Sequence, residues 1–139
     1  MSFEKLNQTE FNNIHERSCM IIVNANKKEA NMMKNIGRLV GIKDCIFLDS
    51  TNGKTTISDI LNNEISDDNE EKWTNKAVVF NNINQTKISG FLDSLKKMKI
   101  ARPLSAVVTE TTIDWTLNKL VYNLIQERNA LKSGQTVQH

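Results

Sequence analysis

Residues 20–42 read MIIVNANKKEANMMKNIGRLVGI. The run Met20–Val23 is wholly apolar and mostly β-branched, the composition of a short strand buried on both faces. It stops at Asn24-Ala25-Asn26. Beyond that stop Ala30, Met33, Ile36, Gly37 and Val40 recur at spacings of three and four, the stripe of an amphipathic helix. Gly41 stands where a helix C-cap belongs. A buried strand leading into a helix is the opening unit of an α/β fold.

The same unit recurs along the chain. Cys45–Leu48 (CIFL) is a second strand, followed by the turn-forming Asp49-Ser50-Thr51-Asn52-Gly53 and a short helix carrying Ile57, Ile60 and Leu61. Ala77–Phe80 (AVVF) is a third, ending in Asn81-Asn82, with a helix that aligns Ile88, Phe91, Leu92 and Leu95. Pro103 breaks the chain before a fourth strand, Ala106–Val108, and a long helix is predicted from about Thr112 to Leu131. On that helix Ile113, Leu117, Leu120, Val121, Leu124 and Ile125 form the buried face. Residues 21–42 parallel 78–100 in pattern, and CIFLDSTNGKTTISDILNN parallels AVVTETTIDWTLNKLVYNL. The pattern predicts two pseudo-repeated β-α-β-α halves, about 20–65 and 76–131, joined by the acidic linker 66–71. The expected architecture is a mostly parallel four-stranded sheet with helices packed on it. All four strand C-termini are then expected along one edge. Phe3, Leu6, Phe11 and Ile14 suggest an additional N-terminal helix, making 1–132 a single α/β domain with a mobile tail over 133–139.

Composition narrows the class of function. Apolar residues at 39% and charged residues at 24% are those of a globular domain. The net charge of +2 hides an asymmetry: residues 1–71 hold 8 Lys/Arg against 12 Asp/Glu, and residues 72–139 hold 10 against 4. That division suits a polyanionic partner, or self-association in which acidic and basic regions meet. Lys96, Lys97, Lys99 and Arg102 cluster at one helix end without interleaved aromatics, which argues against a nucleic-acid partner. Cys19 and Cys45 lie in or beside apolar runs with no metal-ligand spacing, so neither a metal nor a cofactor is expected. The polar N-terminus is unlike a signal peptide, and no apolar run is long enough to cross a membrane, so the expected location is the cytoplasm.

The second half carries the most specific motifs: AVVF (77–80), FLDSLKKMKI (91–100), PLSAVVT (103–109), and a helix opening with Trp115 and reaching Gln126-Glu127. P-x-x-A-V-V-T followed closely by W-T-L is the most distinctive of these. From Lys76 to Glu127 the chain resembles a family of small bacterial proteins known as a domain of unknown function, number 3783. Residues 20–65 resemble the family's first half more loosely. The resemblance implies a compact α/β protein of bacterial cytoplasm and brings no activity with it.

Candidate sites follow from the strand ends. Asn52-Gly53-Lys54-Thr55-Thr56 sits between a strand and a helix, but Leu48 replaces the first glycine of a phosphate-binding loop. It reads better as a turn with Gly53 at positive φ and Thr55 or Thr56 as a helix cap. Thr111 and Asp114 have the spacing of a capping box. Thr109, Thr111 and Thr112 beside a helix N-terminus also form a candidate anion cradle, with Asn24 and Asn81 as further ligand-binding candidates at the strand ends. Trp115 falls roughly 160° from the buried stripe, near Tyr122, so the pair is a candidate interaction surface. Asp49 and Glu110 both end strands and would be a carboxylate pair if they shared an edge. No histidine is placed for base or nucleophile work, and no catalytic residues are assigned. The sequence therefore favours a non-catalytic binding or protein-interaction module, a homo-oligomer or a partner of another protein, using the Trp115/Tyr122 face or the strand edges. The alternative is a domain that takes an anionic small ligand or nucleotide at the strand C-termini.

Overall fold

A computed structural model describes residues 15–132 of the chain. The expected N-terminal helix and the tail over 133–139 lie outside the described residues. The elements run β1 (Cys19–Val23), α1 (Lys27–Val40), β2 (Cys45–Leu48), α2 (Ile57–Leu61), β3 (Ala77–Asn81), α3 (Gln85–Lys97), β4 (Leu104–Val107) and α4 (Leu117–Lys132). Single 3-10 turns occupy Ser50–Asn52 and Thr112–Asp114.

The sheet order is β2-β1-β3-β4. β1 pairs parallel with β2, and β3 parallel with β4, but β1 and β3 are antiparallel, with Ile21 opposite Val79. The sheet is therefore mixed, and the expectation that all four strands end along one edge does not hold. Its cause lies in the linker. Asn24, held at φ 61°, donates its side-chain amide to the carbonyls of Trp73 and Asn75 at 3.1 and 3.0 Å. These bonds pin the incoming chain at the C-terminal end of β1, so β3 begins there and runs back along β1.

Residues alternate between two cores, as the period-two geometry of strands demands. Met20, Ile22, Val78 and Phe80 face α1 and α3, packing on Met33, Ile36, Ile88 and Phe91. Phe80 and Phe91 meet edge to face, 5.9 Å between centroids. Ile21, Val23, Val79 and Leu104 face α2 and α4, packing on Ile57, Ile60, Leu117 and Val121. The central strands are buried throughout, which is why MIIV and AVVF read as continuous apolar runs rather than alternating ones.

Helix starts follow their caps. Asn26 and Glu29 form a capping box on α1, and Gly41 closes that helix at φ 95° as the sequence predicts. Thr56 caps α2 and Asn84 caps α3. The final helix departs from expectation. It begins at Leu117 with Thr116 as its cap, while Thr111 is in αR conformation and makes no capping bond. Thr116 instead pairs with Thr56 in an antiparallel bridge, where Ile57 donates to the Trp115 carbonyl and Leu117 to that of Thr55, both at 2.9 Å. Those bonds need extended backbone at Trp115 (φ −78°, ψ 150°), which excludes a helix at that residue.

Gly53 differs too. Its φ is −62°, not positive, so conformational freedom is not the reason for a glycine here. The reason is close approach: a Cβ would collide with the side chains of Asn118 and Asn69. Asn118 accepts from the Trp73 indole at 2.7 Å, donates to Asn69 at 2.9 Å, and sends its backbone N–H to the Gly53 carbonyl at 2.8 Å. Gly53→Ala is therefore expected to cost about 2 kcal/mol by overpacking and loss of this cluster. Urea denaturation of the two proteins checks it; unchanged stability would show that the cluster relaxes freely.

Candidate functional site

The polar residues at the strand ends are not gathered at one place. Asn24 and Asp49 lie at the end of the sheet where β1 and β2 finish. Asn81, Thr109, Thr111 and Thr112 lie at the opposite end, where β3 and β4 finish. Asp49 and Glu110 are thus on opposite edges and form no carboxylate pair. Asp49 is occupied in capping its own turn, accepting from the Thr51 N–H at 2.9 Å.

These residues are also bonded within the chain. The buried Asn81 side chain donates to the carbonyls of Arg17 and His15 at 2.7 and 3.2 Å. Thr109 and Thr112 exchange bonds, each hydroxyl accepting the other's backbone N–H at 3.1 and 2.9 Å. The first amides of α4 are taken by Thr55, Gly53 and Thr116. Trp115 precedes α4 instead of riding on its outer face, so the helical wheel that aligned it with Tyr122 does not apply. It is half-buried against the core, with the Lys119 ammonium 4.5 Å above its ring. Tyr122 is 60% exposed.

Titratable groups serve structure. Burial pushes the Cys19 thiol up to about 12, and burial also raises Cys45, so both resist thiolate formation. Asp44 accepts two bonds from the Arg17 guanidinium, at 2.7 and 3.1 Å, which raises the Arg17 pKa further. Among the described residues no cluster of three or more His, Cys, Asp or Glu side chains is arranged to hold a metal ion, and no helix is long and apolar enough to cross a membrane.

The open feature is the outer edge of β4. Leu104 donates to the Lys76 carbonyl and Val108 to that of Phe80. In a parallel ladder alternate residues bond to one neighbour, so the peptide groups of Ser105 and Val107 point away from β3. Among the described residues nothing follows β4 in the sheet order. A cleft flanks the edge on each face. On the α4 side it measures about 520 Å³, with an apolar floor of Leu104, Leu124 and Leu131 under Arg102, Arg128 and Lys132. On the α3 side a cleft of about 330 Å³ is bounded by Ile88, Leu92, Ser105 and Val107, and Arg102 borders both. The sequence carried a cue to this: LSAV is less apolar than MIIV or AVVF, and a proline precedes it, as suits an edge strand.

A three-layer α/β domain with one such flanked edge defines the class. Residues 76–131, from just before β3 to the penultimate residue of α4, match the family described as Domain of unknown function (DUF3783). The whole β4 edge lies inside it. No curated protein and no solved structure matches the chain.

One ion pair ties the layers at the opposite end of the sheet. Lys76, just before β3, donates to both Glu29 oxygens at 2.6 and 2.7 Å. Those bonds, with one from the Asn26 N–H, hold the Glu29 carboxyl below its usual range. A carboxyl lowered by folding stabilises above its unfolded value of about 4.3 and loses that contribution as the pH falls through the folded value. Because Lys76 is substantially exposed, Lys76→Met is expected to cost no more than about 1 kcal/mol at neutral pH. In urea midpoints the gap between variant and parent should begin to narrow below about pH 4.3 and close as the pH falls through the lowered folded value. A gap independent of pH would assign the loss to packing of the lysine stem.

Proposed function

We propose that the chain is a non-catalytic protein-interaction module of the bacterial cytoplasm that accepts a partner's extended segment as an added strand on β4. The observation that carries this reading is the pair of outward peptide groups at Ser105 and Val107, set between two apolar-floored clefts. Strand addition draws affinity from main-chain bonds and specificity from pockets for alternate side chains, and this edge offers both. Two free cysteines, one of them buried, suit a reducing compartment. We read the two halves as the product of a duplication. Asn24 and Asn82 both take positive φ, each stands two residues before an Asn helix cap, and Gly41 and Lys99 both follow their helices with positive φ. The alternative of an anionic small ligand or nucleotide at the strand ends ranks below, because the threonine hydroxyls and first-turn amides it needs are engaged within the chain.

Hydrogen exchange tests the reading directly. In dilute protein the amides of Ser105 and Val107 are expected to exchange far faster than those of Leu104 and Val108, which are bonded to β3. Equal protection of all four amides, in protein that light scattering reports as monomeric, would mean that the chain itself covers the edge, and the proposal would fail.

A further inference from the structure

We infer that the occupant of the β4 edge is the β4 edge of a second copy, joined antiparallel about a two-fold axis. The inference rests on the docking reading above and adds the partner and the register.

The register follows from which amides are free. The outward positions along this edge are 103, 105, 107 and 109. Pro103 has no N–H to give. The Thr109 N–H is held by the Thr112 hydroxyl at 2.9 Å. Among the described residues only Ser105 and Val107 keep outward donors. A pairing centred on Ser105 would set Val107 against Pro103 and leave the Val107 carbonyl without a donor; one centred on Val107 would set Ser105 against Thr109 and leave the Ser105 carbonyl without one. Centred on Ala106, Ser105 lies opposite Val107 of the partner subunit, and the N–H and C=O of both Ser105 and Val107 find partners on each edge. A two-fold axis imposes that self-matching.

Charge along the edge agrees. At the N-terminal end of β4 stand Arg102, Arg128 and Lys132; at its C-terminal end stands Glu110. An antiparallel pairing centred on Ala106 brings Arg102 opposite Glu110 of the partner subunit at both ends of the seam. Both residues are exposed, and neither joins one of the ion pairs found among the described residues. Leu131, 65% exposed beside the α4-side cleft, and the partner subunit's Leu131 then flank the seam on one face.

Charge exchange on the full-length chain tests this by light scattering and sedimentation. The unaltered chain is expected to dimerise, and Arg102→Glu and Glu110→Arg to weaken that dimer by about tenfold each, since each reversal puts like charges together at two symmetric places. The double variant should recover most of the loss, which a merely misfolded single variant cannot explain. Val107→Pro, removing one outward donor, should yield a folded monomer by circular dichroism. A chain that stays monomeric at millimolar concentration while its Ser105 and Val107 amides exchange freely would overturn the second copy as occupant and leave the docking edge standing. A dimer indifferent to Val107→Pro and to both charge reversals would place self-association elsewhere and overturn this inference as well.

Discussion

Two strands, β1 and β3, apolar but for the terminal Asn81, lie side by side and run in opposite directions at the centre of the sheet, buried on both faces. Strands of this kind need cover above and below, and each brings its own helices to provide it. Because the pair is antiparallel, the βαβ unit that follows one strand is turned about relative to the unit that follows the other. α1 and α3 consequently share one face, and α2 and α4 the other. Reversing β3 would bring all strand ends to one edge and break the Asn24 clasp on Trp73 and Asn75.

The second face is locked by reciprocal bonds instead of by size. α2 has only five residues, too few to hold itself together in water. Its N-terminus is bonded to that of α4 through the Thr56–Thr116 bridge, so the short helix borrows rigidity from the long one. Asn118 extends the same junction to Gly53, Asn69 and Trp73, which ties the acidic linker down. A segment that reads as a solvated spacer is in this way fixed at several backbone groups.

Much of this was written locally. The runs MIIV, CIFL and AVVF, the Asn caps, and Gly41 each depend on residues within a few positions, and periodicity or capping chemistry reveals them. What was not legible depended on contacts between distant segments. The direction of β3 is set by a side chain fifty-odd residues upstream of it reaching the linker. Thr111 and Asp114 have capping-box spacing, yet the bridge at Thr116 takes precedence because it satisfies buried amides of two helices at once. Gly53 looked like a turn glycine, whereas its neighbours in space decide it. The edge at β4 was visible only as a weaker strand after a proline, since neither cleft can be inferred without knowing that α3 and α4 flank it.

An open edge is ordinarily a hazard, and Arg102 and Pro103 are residues that proteins use to blunt one. Their placement here does something more selective than blunting. Both precede β4, so the strand itself keeps its outward groups at Ser105 and Val107, while Pro103 removes the donor that a slipped pairing would need. At the far end the Thr109–Thr112 exchange removes the other. On a strand truncated in this way at both ends, sliding by two residues in either direction leaves a carbonyl of Ser105 or Val107 without a donor. The features that would argue against docking on a long strand therefore leave, on one of four residues, one alignment in which the outward groups of Ser105 and Val107 are fully reciprocated.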